Sequence, residues 1–201
     1  MSYHVFSNTN NSFVWFPIKT ASTLASWIFA HFDFGLYFYV DEISEFKKIT
    51  NDLSHFGHSL LLHPNHENMS FICTMRHPYN RVLSLYKSTV SPFSDNLSSE
   101  NFDKFIDYSF YKRNLFRDNN AFSDRKPNFI IRSESFYEDI LKIPFIKNSK
   151  LHQCGILEEM CSKEINKSFD LENENEFLTP EIKNKIYKFF EPHFELFGYE
   201  K

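Results

Sequence analysis

Apolar positions along the chain follow two rhythms. Three short unbroken runs, Val14-Trp-Phe16, Ser70-Phe-Ile-Cys-Thr-Met75 and Asn128-Phe-Ile-Ile131, read as buried strands. Elsewhere apolar residues return every three or four positions, the period of a helix. Leu24, Trp27, Ile28 and His31 form one such stripe after Pro17 closes the first run. Tyr79, Val82, Leu83 and Tyr86 form a second, opened by Pro78, a residue suited to a first helical turn. The spacing resumes over Phe102 to Asp107. Ile43, Phe46, Ile49 and Leu53 predict a short helix between Asp41 and Leu53, while Gly35 to Val40 fits either a strand or a continuation beneath the core. At the far end Thr179, Pro180 and Glu181 supply a cap, a proline at the first helical position and an early acid. Ile182, Ile186, Phe189 and Phe190 then make the stripe, and Gly198 marks the stop.

Strands alternating with helices predict an α/β fold, a three-layer domain with a central parallel sheet flanked by helices. Ser91 to Asn101 and Leu171 to Thr179 read as loops, and Ser133 or Ser135 as the cap of a helix after the third strand. No repeat or low-complexity linker divides the 201 residues, so one domain spanning 1–201 is expected.

Charge and cysteines narrow the class. With 22 basic and 26 acidic side chains the net charge is −4, which does not advertise a nucleic-acid surface; a polyanion would need a local basic pocket. The bias to 25 Phe against 4 Gly assigns no site, although rings suit a core and also the face of a purine or sugar. Three cysteines, one of them Cys73 inside an apolar run, force no disulfide, so reduced thiols are expected. Met1-Ser-Tyr-His-Val-Phe6 has no basic segment leading into an apolar one, and no apolar run is long enough to span a bilayer; a cytoplasmic location follows as the expectation.

Candidate chemistry gathers in the turn between the first strand and first helix. Lys19, Thr20, Ala21, Ser22 and Thr23 set one cation, three hydroxyls and main-chain N–H groups at the positive end of a helix, a natural anion site. A Ser/Thr-capped helix with a solvated lysine is the plainer alternative. The nucleoside-triphosphatase signature G-x-x-x-x-G-K-[ST] is not matched, because the turn has no glycine. Arg76 follows the second strand, at the edge where open α/β sheets bind ligands, and Ser84 lies two helical turns further on. A surface ion pair for Arg76 and a back-bonded hydroxyl for Ser84 are their plainer roles. His55, His58, His63 and His66 invite a metal, but no cysteine or carboxylate has the spacing of a closed zinc site, so no metal is expected. Arg113, Arg117, Arg125 and Lys126 form a polar, basic stretch that fits a solvated face or an anionic acceptor.

Four stretches, in order, resemble the sulfotransferases that use 3′-phosphoadenosine 5′-phosphosulfate (PAPS), in particular the carbohydrate O-sulfotransferases. Pro17-Ile-Lys-Thr-Ala-Ser-Thr23 is similar to their 5′-phosphosulfate loop, in the form found in glycosaminoglycan 2-O-sulfotransferases. Arg76-His-Pro-Tyr-Asn-Arg-Val-Leu-Ser-Leu-Tyr86 resembles the 3′-phosphate motif, with its arginine and serine eight residues apart. Ile131-Arg-Ser-Glu-Ser-Phe-Tyr-Glu-Asp139 resembles the R-x-E-x-x-x-x-D segment. Leu178-Thr-Pro-Glu181 with Tyr187 and Phe194-Glu-Leu-Phe-Gly-Tyr199 resembles the terminal helix, and Asn166-Lys-Ser168 is similar to a segment that closes over the cofactor.

The resemblance implies a P-loop-like domain. In it Lys19, Thr20, Ala21, Ser22 and Thr23 hold the 5′-phosphosulfate, while Arg76 and Ser84 hold the 3′-phosphate. It implies sulfuryl transfer from PAPS to a hydroxyl of a carbohydrate or glycoconjugate, leaving 3′-phosphoadenosine 5′-phosphate (PAP), with Lys19 offsetting charge on the leaving phosphate and no metal required. Phe56-Gly57-His58 is similar to the family's histidine base, with His55 second and Asp41 or Glu42 as carboxylate alternatives. A small nucleotide kinase and a non-catalytic nucleotide-binding module remain the competing functions.

Overall fold

The turn Asn8 to Asn11 decides how the sheet begins. Asn11 takes a left-handed φ of 44°, a conformation asparagine tolerates better than most residues, and its N–H donates to Asn8 O at 3.2 Å. Ser7 Oγ accepts from Asn10 N at 3.1 Å, closing the corner. A connection this short can only produce an antiparallel pair. Thus β1 (Tyr3–Ser7) and β2 (Ser12–Phe16) form a hairpin running from Tyr3 opposite Phe16 to Ser7 opposite Ser12.

A computed structural model describes residues 3–17, 19–40, 43–48, 66–90, 98–112, 116, 126–163 and 174–201. These belong to two compact units, one drawn from residues 1–75 and 125–165, the other from 76–124 and 166–201. The first unit holds an α/β fold around an open six-stranded sheet in the order β4-β3-β1-β2-β5-β6. Its strands are completed by β3 (Gly35–Val40), β4 (Ile43–Lys48), β5 (Ser70–Met75) and β6 (Phe129–Arg132).

Only part of the expected parallel sheet is realised. β2, β5 and β6 are parallel neighbours, with Trp15 opposite Cys73 and Met75 opposite Arg132. β1, β3 and β4 pair antiparallel, so the sheet is mixed. The helix expected over Asp41 to Leu53 is corrected for its described part: Ile43–Lys48 is a strand, paired from Val40 opposite Ile43 to Gly35 opposite Lys48. Apolar residues three apart fit a helix in isolation; pairing with a ready neighbour overrides so short a pattern.

Helices of the first unit are α1 (Ser22–Ala30), α4 (Phe136–Ile140), α5 (Pro144–Lys147), α6 (Lys150–Gln153) and α7 (Ile156–Ser162). Val5, Val14, Phe16, Ile72 and Ile131 project from one sheet face onto Ala25, Ile28 and Phe29 of α1 and onto Ile140, Ile143, Ile146, Leu157 and Met160. Each of the Val, Ile, Leu, Met and Phe side chains among these contributes about 1.5–3 kcal/mol by leaving water. The buried face of α1 is Ala25, Ser26, Ile28 and Phe29, so the expected stripe of Leu24, Trp27, Ile28 and His31 is rotated. Ala25 and Ser26 are small enough to bring the helix backbone close to the sheet. Leu24 and Trp27 pack at the margin, and His31 is exposed.

The second unit is helical: α2 (Pro78–Val90), α3 (Ser99–Asp107) continued by a π-turn over Tyr108–Lys112, α8 (Glu174–Phe177) and α9 (Pro180–Phe197). Its phenylalanines make an aromatic core, with Tyr86 against Phe102 and Phe105, and Phe110 stacked on Phe189 at 4.0 Å. α9 forms as its sequence predicts. Thr179 Oγ1 accepts from Ile182 N at 3.4 Å, Pro180 opens the helix, and Gly198 closes it in the left-handed conformation. The loop expected over Leu171 to Thr179 is interrupted by the single turn of α8.

Candidate functional site

β2, β5 and β6 run the same way, so Phe16, Met75 and Arg132 end at one edge of the sheet. From Phe16 the chain passes through Pro17 into the Lys19 turn. Lys19 and Ala21 both adopt left-handed backbone, φ 63° and 56°, and Thr20 between them does not. Alternation of this kind turns successive N–H groups inward to make an anion-binding hollow. Glycine is the usual residue for such a position; for lysine and alanine the cost is about 1–2 kcal/mol each. Strain of this sort collects where function requires a fixed shape.

Helix α1 starts directly from the turn. Ala21 is its N-cap, and Ala25 N donates to Ala21 O at 3.1 Å. No side chain caps the helix, so the expected Ser/Thr cap is absent and the plainer account of these hydroxyls does not hold. No acid stands in the first turn, which leaves the positive end of the helix uncompensated by a carboxylate of α1. Lys19, Ala21 and Ser22 are half-buried and Thr23 is exposed, within reach of solvent ligands.

Thr20 is the exception. Its side chain is fully buried, and its hydroxyl donates to Pro17 O at 2.7 Å while lying 2.8 Å from the Thr74 hydroxyl on β5. An anion at this turn would therefore meet the main chain of Thr20 rather than its hydroxyl. Thr74 is not among the residues that the sequence singles out. It shares β5 with one other hydroxyl, Ser70, and nothing in the strand's sequence marks it.

At the end of β6, Asp139 of α4 organises the segment Ile131–Asp139. Its carboxylate is 1% exposed and accepts from Arg132 N at 2.9 Å, Ser135 Oγ at 2.8 Å, Arg132 Nη1 at 3.4 Å and the Lys142 ammonium. Burial alone would raise its pKa. The Lys142, Arg132 and Ser135 hydrogen bonds outweigh that and hold it below the usual carboxylate value. Ser135 stands at the N-cap of α4 but gives its hydroxyl to Asp139 instead of capping.

In the second unit, Arg76 is half-buried and makes no hydrogen bond or ion pair among the described residues, contrary to a surface ion pair. Ser84 is buried in α2, and its hydroxyl likewise makes no hydrogen bond among the described residues. That sets it apart from Ser88 and Thr89 on the same helix, both of which back-bond to Leu85 O. His77 rests against Tyr79, Phe194 and Tyr199, tying the start of α2 to the end of α9. Arg81 is fully buried with its guanidinium 5.1 Å from the Phe116 ring and 5.7 Å from the Phe190 ring, a role in the core.

His58, His55, Asp41, Glu42, His63, Arg113, Arg117, Arg125 and Asn166 to Ser168 lie outside the described residues. Lys126 is exposed, and His66 opens a short 3₁₀ turn, His66–Asn68. Among the described residues no group of three His, Cys, Asp or Glu side chains is placed to hold a metal ion. The three cysteines are free thiols, and burial, reinforced by Glu138, pushes Cys161 up to about 11, away from nucleophilic use. Among the described residues no helix is long and apolar enough to cross a membrane.

Comparison with protein-family models, with curated proteins and with solved structures finds no match to this chain.

Proposed function

We propose that the chain is a PAPS-dependent O-sulfotransferase of P-loop-like, three-layer architecture acting on a carbohydrate or glycoconjugate hydroxyl. The observation that carries the proposal is the left-handed, uncapped turn from Lys19 to Ala21. It joins the carboxyl end of a parallel strand to a helix N-terminus, in the one stretch whose sequence resembles the 5′-phosphosulfate loop. Arg76 and Ser84, each lacking a partner among the described residues, are the groups available for the 3′-phosphate.

PAPS would supply a sulfuryl group attached to a phosphate that leaves readily. Lys19 and the N–H groups of the turn hold the anionic end and offset charge on the departing phosphate oxygen. Ser22 and Thr23 add hydroxyl donors. Thr20 shapes the hollow, its own hydroxyl being spent inside the protein. A base takes the proton from the acceptor hydroxyl, and His58 has the appropriate chemistry for that step. Lys19 provides fixed positive charge, so no metal is assigned a role.

Incubating the chain with radiolabelled PAPS and a panel of sugars, oligosaccharides and glycolipids, followed by mass analysis, tests the assignment. Transfer of label to one acceptor class is expected. Failure to transfer to any acceptor, in a preparation that binds PAP, would leave a nucleotide-binding module rather than an enzyme.

A further inference from the structure

Thr20 is the pivot of the turn, placed between two left-handed residues, and among the described residues its hydroxyl has two hydrogen-bond partners, Pro17 O and the Thr74 hydroxyl. A hydroxyl has one proton to give. Since Thr20 Oγ1 donates to Pro17 O, the pair at 2.8 Å must have Thr74 as the donor. The bonds therefore run in one direction, from Thr74 O–H to Thr20 Oγ1 and from Thr20 O–H to the Pro17 carbonyl just after β2. Both threonines are fully buried, where water does not compete.

Thr74 also has the right place in the sheet. It sits on the same face of β5 as Ile72, beneath α1, by the alternation of a strand. β5 is the parallel neighbour of β2, so the Thr74 bond ties the turn to a strand other than the one it leaves. Two unfavourable backbone conformations persist only when the surroundings over-determine them. Thr74 supplies the long-range part of that restraint; the Pro17 bond is local.

We propose that Thr74 is a positioning residue of the anion turn. It touches no ligand, and it fixes Thr20 so that the N–H groups of Lys19 to Ser22 converge. The inference rests on the turn being an anion site, and it is independent of which anion is the natural one. Thr74→Val removes the donor while keeping the branched shape a strand favours, and Thr74→Ser restores it.

The test is titration of the full chain with PAP and, separately, with inorganic pyrophosphate, both without magnesium. Affinity is read from the amide resonances of Lys19 to Ser22, with the melting temperature of each ligand-free variant measured alongside. Thr74→Val should weaken both ligands by about tenfold, the worth of one buried hydrogen bond, and Thr74→Ser should return affinity to near the parent value. A merely structural threonine would lower the melting temperature without that pattern of loss and rescue. Equal affinity in Thr74→Val, loss that serine does not rescue, or no response of these amides to either anion in the parent chain overturns the proposal. Threonine-dependent binding of pyrophosphate without binding of PAP upholds Thr74 and removes PAPS as the donor.

Discussion

Lys19 and Ala21 adopt a conformation that their own side chains resist, and that cost supports the proposal of the turn as an anion site. Ala21 at φ 56° should accept glycine at no loss: relief of the left-handed strain, about 1 kcal/mol or more, offsets the added chain entropy of glycine. Ala21→Gly is expected to melt no lower than the parent, whereas a marked fall in melting temperature would show that the turn is not strained. Lys19→Ala should stay folded, lose transfer and weaken PAP binding, since a charge-assisted contact is worth about 1.5–3 kcal/mol. His58→Ala should lose transfer by about 10²–10⁴-fold and bind PAP as before. Unchanged turnover in either variant would remove that residue from the mechanism. Lys19, Arg76 and Ser84 are candidates through the resemblance of their stretches to the sulfotransferase motifs. The sequence did not reveal Thr74, because a threonine at the end of a strand carries no signature of its own, nor the backbone of Ala21, because only glycine announces a positive φ.

Elements formed where several local preferences agreed. α9 had its threonine cap, its proline and its apolar stripe, and the helix runs from Pro180 to Phe197 as those signals require. The Ile43–Lys48 segment had only a spacing of three, and pairing with Gly35–Val40 made it a strand. The buried face of α1, Ala25, Ser26, Ile28 and Phe29, lies one step out of phase with the stripe of Leu24, Trp27, Ile28 and His31. At the junction of β6 and α4, Asp139 joins two elements through its four contacts. Asp139→Asn should lower the unfolding free energy by about 2 kcal/mol, because hydrogen bonds to a buried charge are lost. The pH dependence has a definite sign. The folded pKa lies below the ordinary 3.8, so this carboxylate stabilises the protein above that value and the contribution disappears as pH falls through the folded pKa. Urea unfolding between pH 5 and about pH 2 should show a shallower acid decline in Asp139→Asn than in the parent, and parallel curves would refute the assignment.

For the molecule as a whole, the mixed sheet explains why the fold class was legible and its topology only partly so. Three buried runs pointed to parallel strands, and β2, β5 and β6 are parallel; β1 is fixed by a short Asn-rich corner, and that corner makes the sheet mixed. A net charge of −4 leaves anion binding to local groups rather than to the field of the protein. The proposed function assigns the Lys19 turn to the 5′-phosphosulfate of PAPS and Arg76 with Ser84 to its 3′-phosphate. Calorimetric titration with PAP in the presence of a metal chelator tests this directly, using the parent chain, Lys19→Ala and Arg76→Ala, with adenosine 5′-phosphosulfate as the ligand lacking a 3′-phosphate. Saturable binding of one PAP per chain is predicted, weakened by either substitution, with Arg76→Ala leaving the affinity for adenosine 5′-phosphosulfate unchanged. Absence of PAP binding, or a preference for ATP that appears only with magnesium, would contradict the account.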